Sequence, residues 1–169
     1  MIPVEISVKT YRDDRGWFRE TWSRRTLAAS GIDADFCQDN HSFSRYAGTI
    51  RGLHFQTPPF AQAKLVRCLK GSIFDVAVDI RTGSPSYGNW VSCLLSAEEG
   101  NQFFVPAGFA HGFMTLENDC EVAYKVDSDY APQADAGVIW NDPIINIDWP
   151  SDHSPPVLSE KDNELPALS

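Results

Sequence analysis

The chain has 169 residues, of which 43% are hydrophobic and 12% aromatic, and its formal net charge is −9. That length suits one domain over residues 1–169 with a real core. The acidic balance excludes nonspecific nucleic-acid binding, which needs a basic surface to displace counterions from phosphates, although a few converging Arg and Lys can still hold an anionic ligand. Glu5, Lys9, Arg12 and Asp13 leave no apolar signal region near the start, and no stretch approaches the roughly 20 apolar residues of a membrane span. The expectation is a cytoplasmic protein without membrane association. Cys37, Cys68, Cys93 and Cys120 are widely spaced with no CxxC pair, so buried free thiols are favoured over a disulfide frame or a zinc site.

In chain order, the first element is a helix over Ser23–Ser30, with Ser23 as its cap and Gly31 ending it. Short β runs follow, separated by Gly, Pro and Asn: Lys64–Leu69, Ile73–Ile80, Trp90–Leu95, Gln102–Val105, Gly112–Leu116 and Glu121–Val126. In the second of these, Phe74, Val76, Val78 and Ile80 share one face, while Asp75 and Asp79 fall on the other; the acids are expected to form a polar face rather than a catalytic pair. Gly83-Ser84-Pro85-Ser86 reads as a turn. One short helix among seven or more strands predicts an all-β protein, an antiparallel jelly roll with one or a few short helices. The Pro- and Ser-rich tail from Ser151 is expected to wrap the surface.

His54, Lys64 and Tyr124 lie on or beside such strands and form a coherent proton-transfer set. A histidine takes a proton near neutral pH, a lysine stabilises an oxyanion, and a tyrosine returns a proton. Two spacings connect them to a fold. Gly100, five residues and then Pro106-Ala107-Gly108-Phe109-Ala110-His111 resembles the second motif of the cupin jelly rolls, with Thr115 where Asn is usual. Gly48, five residues and then His54 resembles the first motif. There Gln56 occupies the second histidine position, and Phe60 or Ala61 stands at the glutamate. A metal cupin needs about four N or O ligands; only His54 and His111 remain, which disfavours a metal site.

A fuller set of motifs runs in one order from about Tyr11 to Leu168: Asp14-Arg15-Gly16-Trp17-Phe18-Arg19-Glu20, Gln38-Asp39-Asn40, Arg51-Gly52-Leu53-His54, Gln62-Ala63-Lys64-Leu65-Val66, Asp75 to Arg81, Gly108 to Phe113 and Ser159-Glu160-Lys161-Asp162. Together they resemble the dTDP-4-dehydrorhamnose 3,5-epimerase family. The resemblance implies a cofactor-independent enzyme acting on a dTDP-4-keto-6-deoxyhexose, with proton removal at C3 and C5 beside the C4 ketone. It implies His54 as base, Asp162 as the acid that orients it, Lys64 and His111 facing the C4 oxygen, and Tyr124 as the acid on the opposite face. Arg15, Arg51 and Lys161 match positions for the diphosphate. Phe18, Glu20, Gln38 and Asn40 match further substrate contacts, and Tyr130 matches the aromatic that stacks on thymine. Asp135 stands where the family carries Glu, which leaves the exact sugar open. The resemblance also implies a homodimer, in which Arg15 to Glu20 of one subunit serve the neighbouring site.

Three alternatives stay open at this level: a C3-only or C5-only epimerase of another deoxysugar, a metal-dependent cupin enzyme, and a non-catalytic sugar-nucleotide binder. His41 and His153 are expected to be surface or structural residues.

Overall fold

The computed structural model describes residues 1–153 and 155–168, and the expectation for the side chain of His153 lies outside the described residues. Among them the chain runs β1 (Val4–Ile6), β2 (Thr10–Asp13), β3 (Gly16–Arg19), α1 (Arg24–Ala29), β4 (Gln38–Ser44), β5 (Ile50–Gln56), β6 (Lys64–Lys70), β7 (Ser72–Asp79), β8 (Trp90–Ser96), β9 (Gln102–Val105), β10 (Phe109–Thr115), β11 (Cys120–Val126), β12 (Asp135–Gly137) and α2 (Glu160–Asn163). The strands form two antiparallel sheets, ordered β1-β9-β6-β11-β4 and β12-β5-β10-β7-β8, with β2–β3 as a separate hairpin. This is the expected jelly roll. The helix is capped as its residues predict: the Ser23 hydroxyl accepts from the Thr26 amide at 3.2 Å, and Gly31 leaves at φ +78°.

One end of the space between the sheets is filled. Val66, Ile73, Leu95, Phe103, Val105, Phe109 and Val122 interdigitate there, and Cys68, Cys93 and Cys120 are buried free thiols, whereas Cys37 is exposed. Each sheet is also covered outside. The helix lays Leu27 against Leu65 and Phe104. The C-terminal segment lays Ile145, Ile147, Trp149 and Leu168 against Val76, Val78 and Phe74. Asp142 clips that segment in place, because its carboxylate accepts from the amides of Ile144, Ile145 and Leu168.

The covering tail corrects one expectation. Asp75 and Asp79 do share a face, but it is not solvated: β7 has both faces buried, and the two acids are 0% and 1% exposed. Asp79 is balanced by Arg81 and by the Ser84 and Ser86 hydroxyls. These bonds, Arg81 first, hold its carboxyl far below the usual range and shape the turn that follows. Asp75 points into the barrel.

The strands that carry His54 and His111 meet at an irregularity. His111 of β10 pairs with His54 of β5, and Phe113 pairs with Arg51. Two steps along β10 therefore match three along β5, a β-bulge. It turns Arg51 and His54 toward the same side, although three-residue spacing on a regular strand would put them on opposite faces. Gly52 makes this possible. Its φ is +128°, and a Cβ there would sit 2.6 Å from the Gly112 Cα and 2.8 Å from the His111 carbonyl oxygen. Gly52→Ala is therefore expected to cost about 3 kcal/mol or more from backbone strain and overlap, a fall in Tm of roughly 6–12 °C. Gly83→Ala, also at positive φ but with nothing within 4 Å, should cost only its strain. Equal melting temperatures for the two variants would disprove the close approach as the constraint.

Candidate active site

The open end of the barrel is a cavity of about 400 Å³. Period-two alternation supplies its walls: Gln38, Asn40 and Ser42 from β4, and His111 and Phe113 from β10, face it from alternate positions. His54 and Gln56 enter from β5, Lys64 from β6, Tyr124 from β11 and Asp135 from β12. Tyr130 comes from the loop after β11, and Lys161 and Asp162 come from α2. His54 and Tyr124 thus stand on different sheets with the cavity between them.

The C-terminal helix reaches the cavity because the chain before it is pinned. Thr49 and Val157 form a parallel bridge, and the Ile50 amide donates to the Val157 carbonyl at 2.9 Å. Ser159 then caps α2 by accepting from the Asp162 amide at 3.1 Å. Asp162, buried at 5% exposure, accepts from His54 Nε2 at 2.6 Å. Burial alone would raise the Asp162 carboxyl, but the His54 hydrogen bond and its attraction outweigh that and hold it below the ordinary range. An ionised acid on Nε2–H leaves the His54 Nδ1 lone pair as the ring's basic atom.

Lys64 is buried, and its ammonium donates to the His54 carbonyl at 3.1 Å. Desolvation lowers its pKa to about 8, against the opposing pull of Asp75 and Asp135. Tyr124 moves the other way: burial raises its phenol, with Arg51 partly offsetting, so it keeps its proton at neutral pH. Arg51 is braced by the Ser44 hydroxyl at 3.0 Å and the Phe43 carbonyl at 2.9 Å. At the mouth, Asp135 accepts from Lys161 at 2.5 Å and from the Tyr130 hydroxyl at 3.1 Å. Burial would raise the Asp135 carboxyl, but Lys161 and Tyr130 hold it low.

Three expected residues are not brought here. Arg15, Phe18 and Glu20 lie outside the cavity, because β2 and β3 pair only with each other. The hairpin is tethered instead through Arg19, which reaches the Thr10 hydroxyl and the Ala97 and Glu98 carbonyls. The Arg15 side chain is 90% exposed and, among the described residues, bonds only to Asp13; Phe18 is 66% exposed, and Glu20 accepts from Thr26.

Other members were missed. Asp75 accepts from His111 Nε2 at 2.8 Å in the barrel floor; the hint was an acid flanked by Ile73 and Ala77 on one face of an otherwise apolar strand. Gln56 uses its amide on backbone: Nε2 donates to the Phe60 and Asp129 carbonyls, and Oε1 accepts from the Ala131 amide. It ties down the loop that bears Tyr130. Gln62 adds a bond to the Ser128 carbonyl at 2.6 Å. Among the described residues no three His, Cys, Asp or Glu side chains are grouped as metal ligands, and each cavity histidine already spends Nε2 on a carboxylate. His41 is on the outer surface beside Glu121. Among the described residues no helix is long and apolar enough to cross a membrane.

Known proteins are similar to this chain in both sequence and fold. The dTDP-4-dehydrorhamnose 3,5-epimerase family model matches residues 3–169. The dTDP-4-dehydrorhamnose 3,5-epimerase of Sinorhizobium fredii is 53% identical, over 96% of this chain and 83% of its own length. The crystal structure of the Bacillus anthracis enzyme with TDP and PPi bound superimposes with a TM-score of 0.95 at 46% identity, covering 98% of this chain and 94% of the other. That of the Legionella pneumophila epimerase in complex with dTDP-4-keto-L-rhamnose gives 0.91 at 43%, covering 98% and 87%. Matched along nearly its whole length in both sequence and fold, the chain belongs to the dTDP-4-dehydrorhamnose 3,5-epimerase family.

Proposed function

We propose that this protein inverts C3 and C5 of dTDP-4-dehydro-6-deoxy-D-glucose to give dTDP-4-dehydro-L-rhamnose, with its own side chains as the proton carriers. The observation that carries the mechanism is the pair His54 and Tyr124 on opposite sheets of one cavity, since inversion needs a proton removed from one face of the sugar and delivered to the other.

The ketone at C4 makes the protons on C3 and C5 acidic. His54 Nδ1 takes one of them, and the electron pair of the broken C–H bond moves onto the C4 oxygen as an enolate. Asp162 orients the ring and stabilises the imidazolium that forms. Lys64 faces the enolate oxygen; its buried ammonium is worth more there than in water. Tyr124 then delivers its proton to the opposite face of the carbon. Imidazolium and phenolate exchange with solvent to restore the starting state, so the sugar gains and loses one proton at each inverted centre.

The nucleotide half is read the same way. Arg51 and Lys161 hold the diphosphate, with Arg supplying bidentate contacts. Gln38 and Asn40 contact the nucleotide and sugar, and Tyr130 stacks on the base, worth about 1–3 kcal/mol by analogy with other base stacking. Asp135, engaged by Lys161 and Tyr130, closes the mouth. The protein acts as a homodimer in the cytoplasm, and the hairpin of one subunit carries Arg15, Phe18 and Glu20 to the other subunit's cavity. The exposed Tyr11, Trp17 and Phe18 on that hairpin support a covered surface.

Incubation with the 4-keto substrate in D₂O, followed by NMR, tests the reading: deuterium is expected at both C3 and C5. Label at one carbon would make it a single-position epimerase, and no label would end the enolate mechanism for this substrate. His54→Ala should abolish exchange and lower turnover by about 10²–10⁴-fold. Tyr124→Phe should still exchange, through return of deuterium to the same face, while losing product. Both variants should keep their affinity for dTDP.

The pH profile tests Lys64 separately. The ammonium is the required form and gives up its proton at about 8 in the free protein, so kcat/KM should fall above that pH. Lys64→Arg should move the alkaline limb upward, and Lys64→Met should cost about 10²–10³-fold in kcat. An alkaline limb that stays in place in Lys64→Arg would assign it to another group.

A further inference from the structure

The floor of the cavity holds a second carboxylate–histidine pair that the proton-transfer scheme above does not use. Asp75 is completely buried, and its Oδ1 accepts from His111 Nε2 at 2.8 Å. Its other oxygen, Oδ2, is buried with no hydrogen-bond partner. Leaving a carboxylate oxygen unpaired in a protein interior is costly, so the group is held there against a local penalty. His111 itself is nearly buried and lines the cavity, and among the described residues its Nδ1 has no protein hydrogen-bond partner.

We propose that Asp75 is a positioning residue that fixes His111 as the neutral Nε2–H tautomer, so that Nδ1 presents a lone pair to the cavity and accepts a hydrogen bond from a hydroxyl of the bound hexose. His111 is then an acceptor that orients the sugar, and Lys64 alone supplies positive charge to the C4 oxygen. The proposal rests on the epimerase reading for the identity of the hydroxyl, and replaces the expectation that His111 also faces the C4 oxygen.

Charge balance selects this protonation state. The groups that face His111 are Asp75 from β7, Lys64 from β6 and His54 from β5. With Lys64 as ammonium and Asp75 as carboxylate, a neutral His111 leaves the buried triad without net charge. A proton added to either His111 or Asp75 would leave the triad net positive, and Asp135, which also acts on Lys64, is itself engaged by Lys161; buried net charge is expensive. Against this, desolvation pushes the Asp75 carboxyl upward, while His111 and Lys64 pull it back. Desolvation first, then Lys64 and His54, lowers the His111 pKa against the pull of Asp75, in agreement with the geometry. Given one proton, the ring keeps it on the nitrogen that faces the carboxylate, as the orienting acid does in Ser-His-Asp sites.

The ring nitrogens can be read directly. In the ¹⁵N-labelled full-length protein, two-bond ¹H–¹⁵N correlations, assigned by their loss in His111→Asn, should show Nε2 protonated and Nδ1 bare from pH 6 to 8. A doubly protonated ring or an Nδ1–H tautomer overturns the proposal, and this readout needs no turnover, so it stands or falls apart from the epimerase reading. In the turnover assay, Asp75→Asn should lower kcat/KM roughly 10- to 100-fold, about the loss of one hydrogen bond to substrate, with dTDP affinity unchanged. The double variant Asp75→Asn/His111→Asn should lie within about twofold of His111→Asn alone, because residues acting through one another are not additive. Additive losses, or dTDP affinity falling in step with kcat/KM, would make Asp75 a support of the fold instead.

Discussion

The close approach of two backbones at Gly52 and Gly112 is the constraint on which the site depends. Strands β5 and β10 run side by side, and where they meet the chain inserts one extra residue on β5. Without that insertion Arg51 and His54 would face opposite sides of the sheet and could not line the same cavity. The bulge needs a residue at positive φ with no side chain, Gly52, and the facing strand needs a residue without a side chain, Gly112. Two glycines thereby decide which side chains line the cavity, although neither offers a functional group of its own.

The cavity sits between sheets rather than on one of them, and this explains its chemistry. One sheet supplies His54 and His111, and the other supplies Lys64 and Tyr124. On the proposed mechanism, a sugar ring held between them would meet His54 on one face and Tyr124 on the other. The two histidines have the same local design, each with Nε2 on a carboxylate, yet the acids differ in origin. Asp75 belongs to a core strand sealed on both faces. Asp162 arrives on a short helix near the end of the chain, pinned by Thr49, Val157 and Asp142. The burial differs accordingly: Asp75 is pushed upward by desolvation, with His111 and Lys64 pulling back, while His54 holds Asp162 down.

Much of the fold was legible beforehand. The strand from Gln102 to Val105 has the bounds that its flanking turn residues predict, and Ser23 caps its helix as its side chain suggests. That His54, Lys64 and Tyr124 would share one cavity was legible mainly as motifs in register, because a histidine, a lysine and a tyrosine scattered over 71 positions (54 to 124) say little one at a time. Gln56 is instructive: its place in the spacing argued against a metal ligand, but that it ties the Tyr130 loop through two backbone bonds depends on a loop far away in sequence.

The amino-acid sequence alone determined which residues share a strand face, where the helix starts and which family of motifs is present, since those are properties of short-range periodicity and local backbone preference. Tertiary structure alone decided what covers each face. Alternation placed Asp75 and Asp79 together without revealing that the tail would bury the opposite side of β7 and the barrel would bury theirs. It also decided that Arg15, Phe18 and Glu20 stand away from their own chain's cavity, because the pairing partners of a hairpin are a choice among distant strands that no local pattern records.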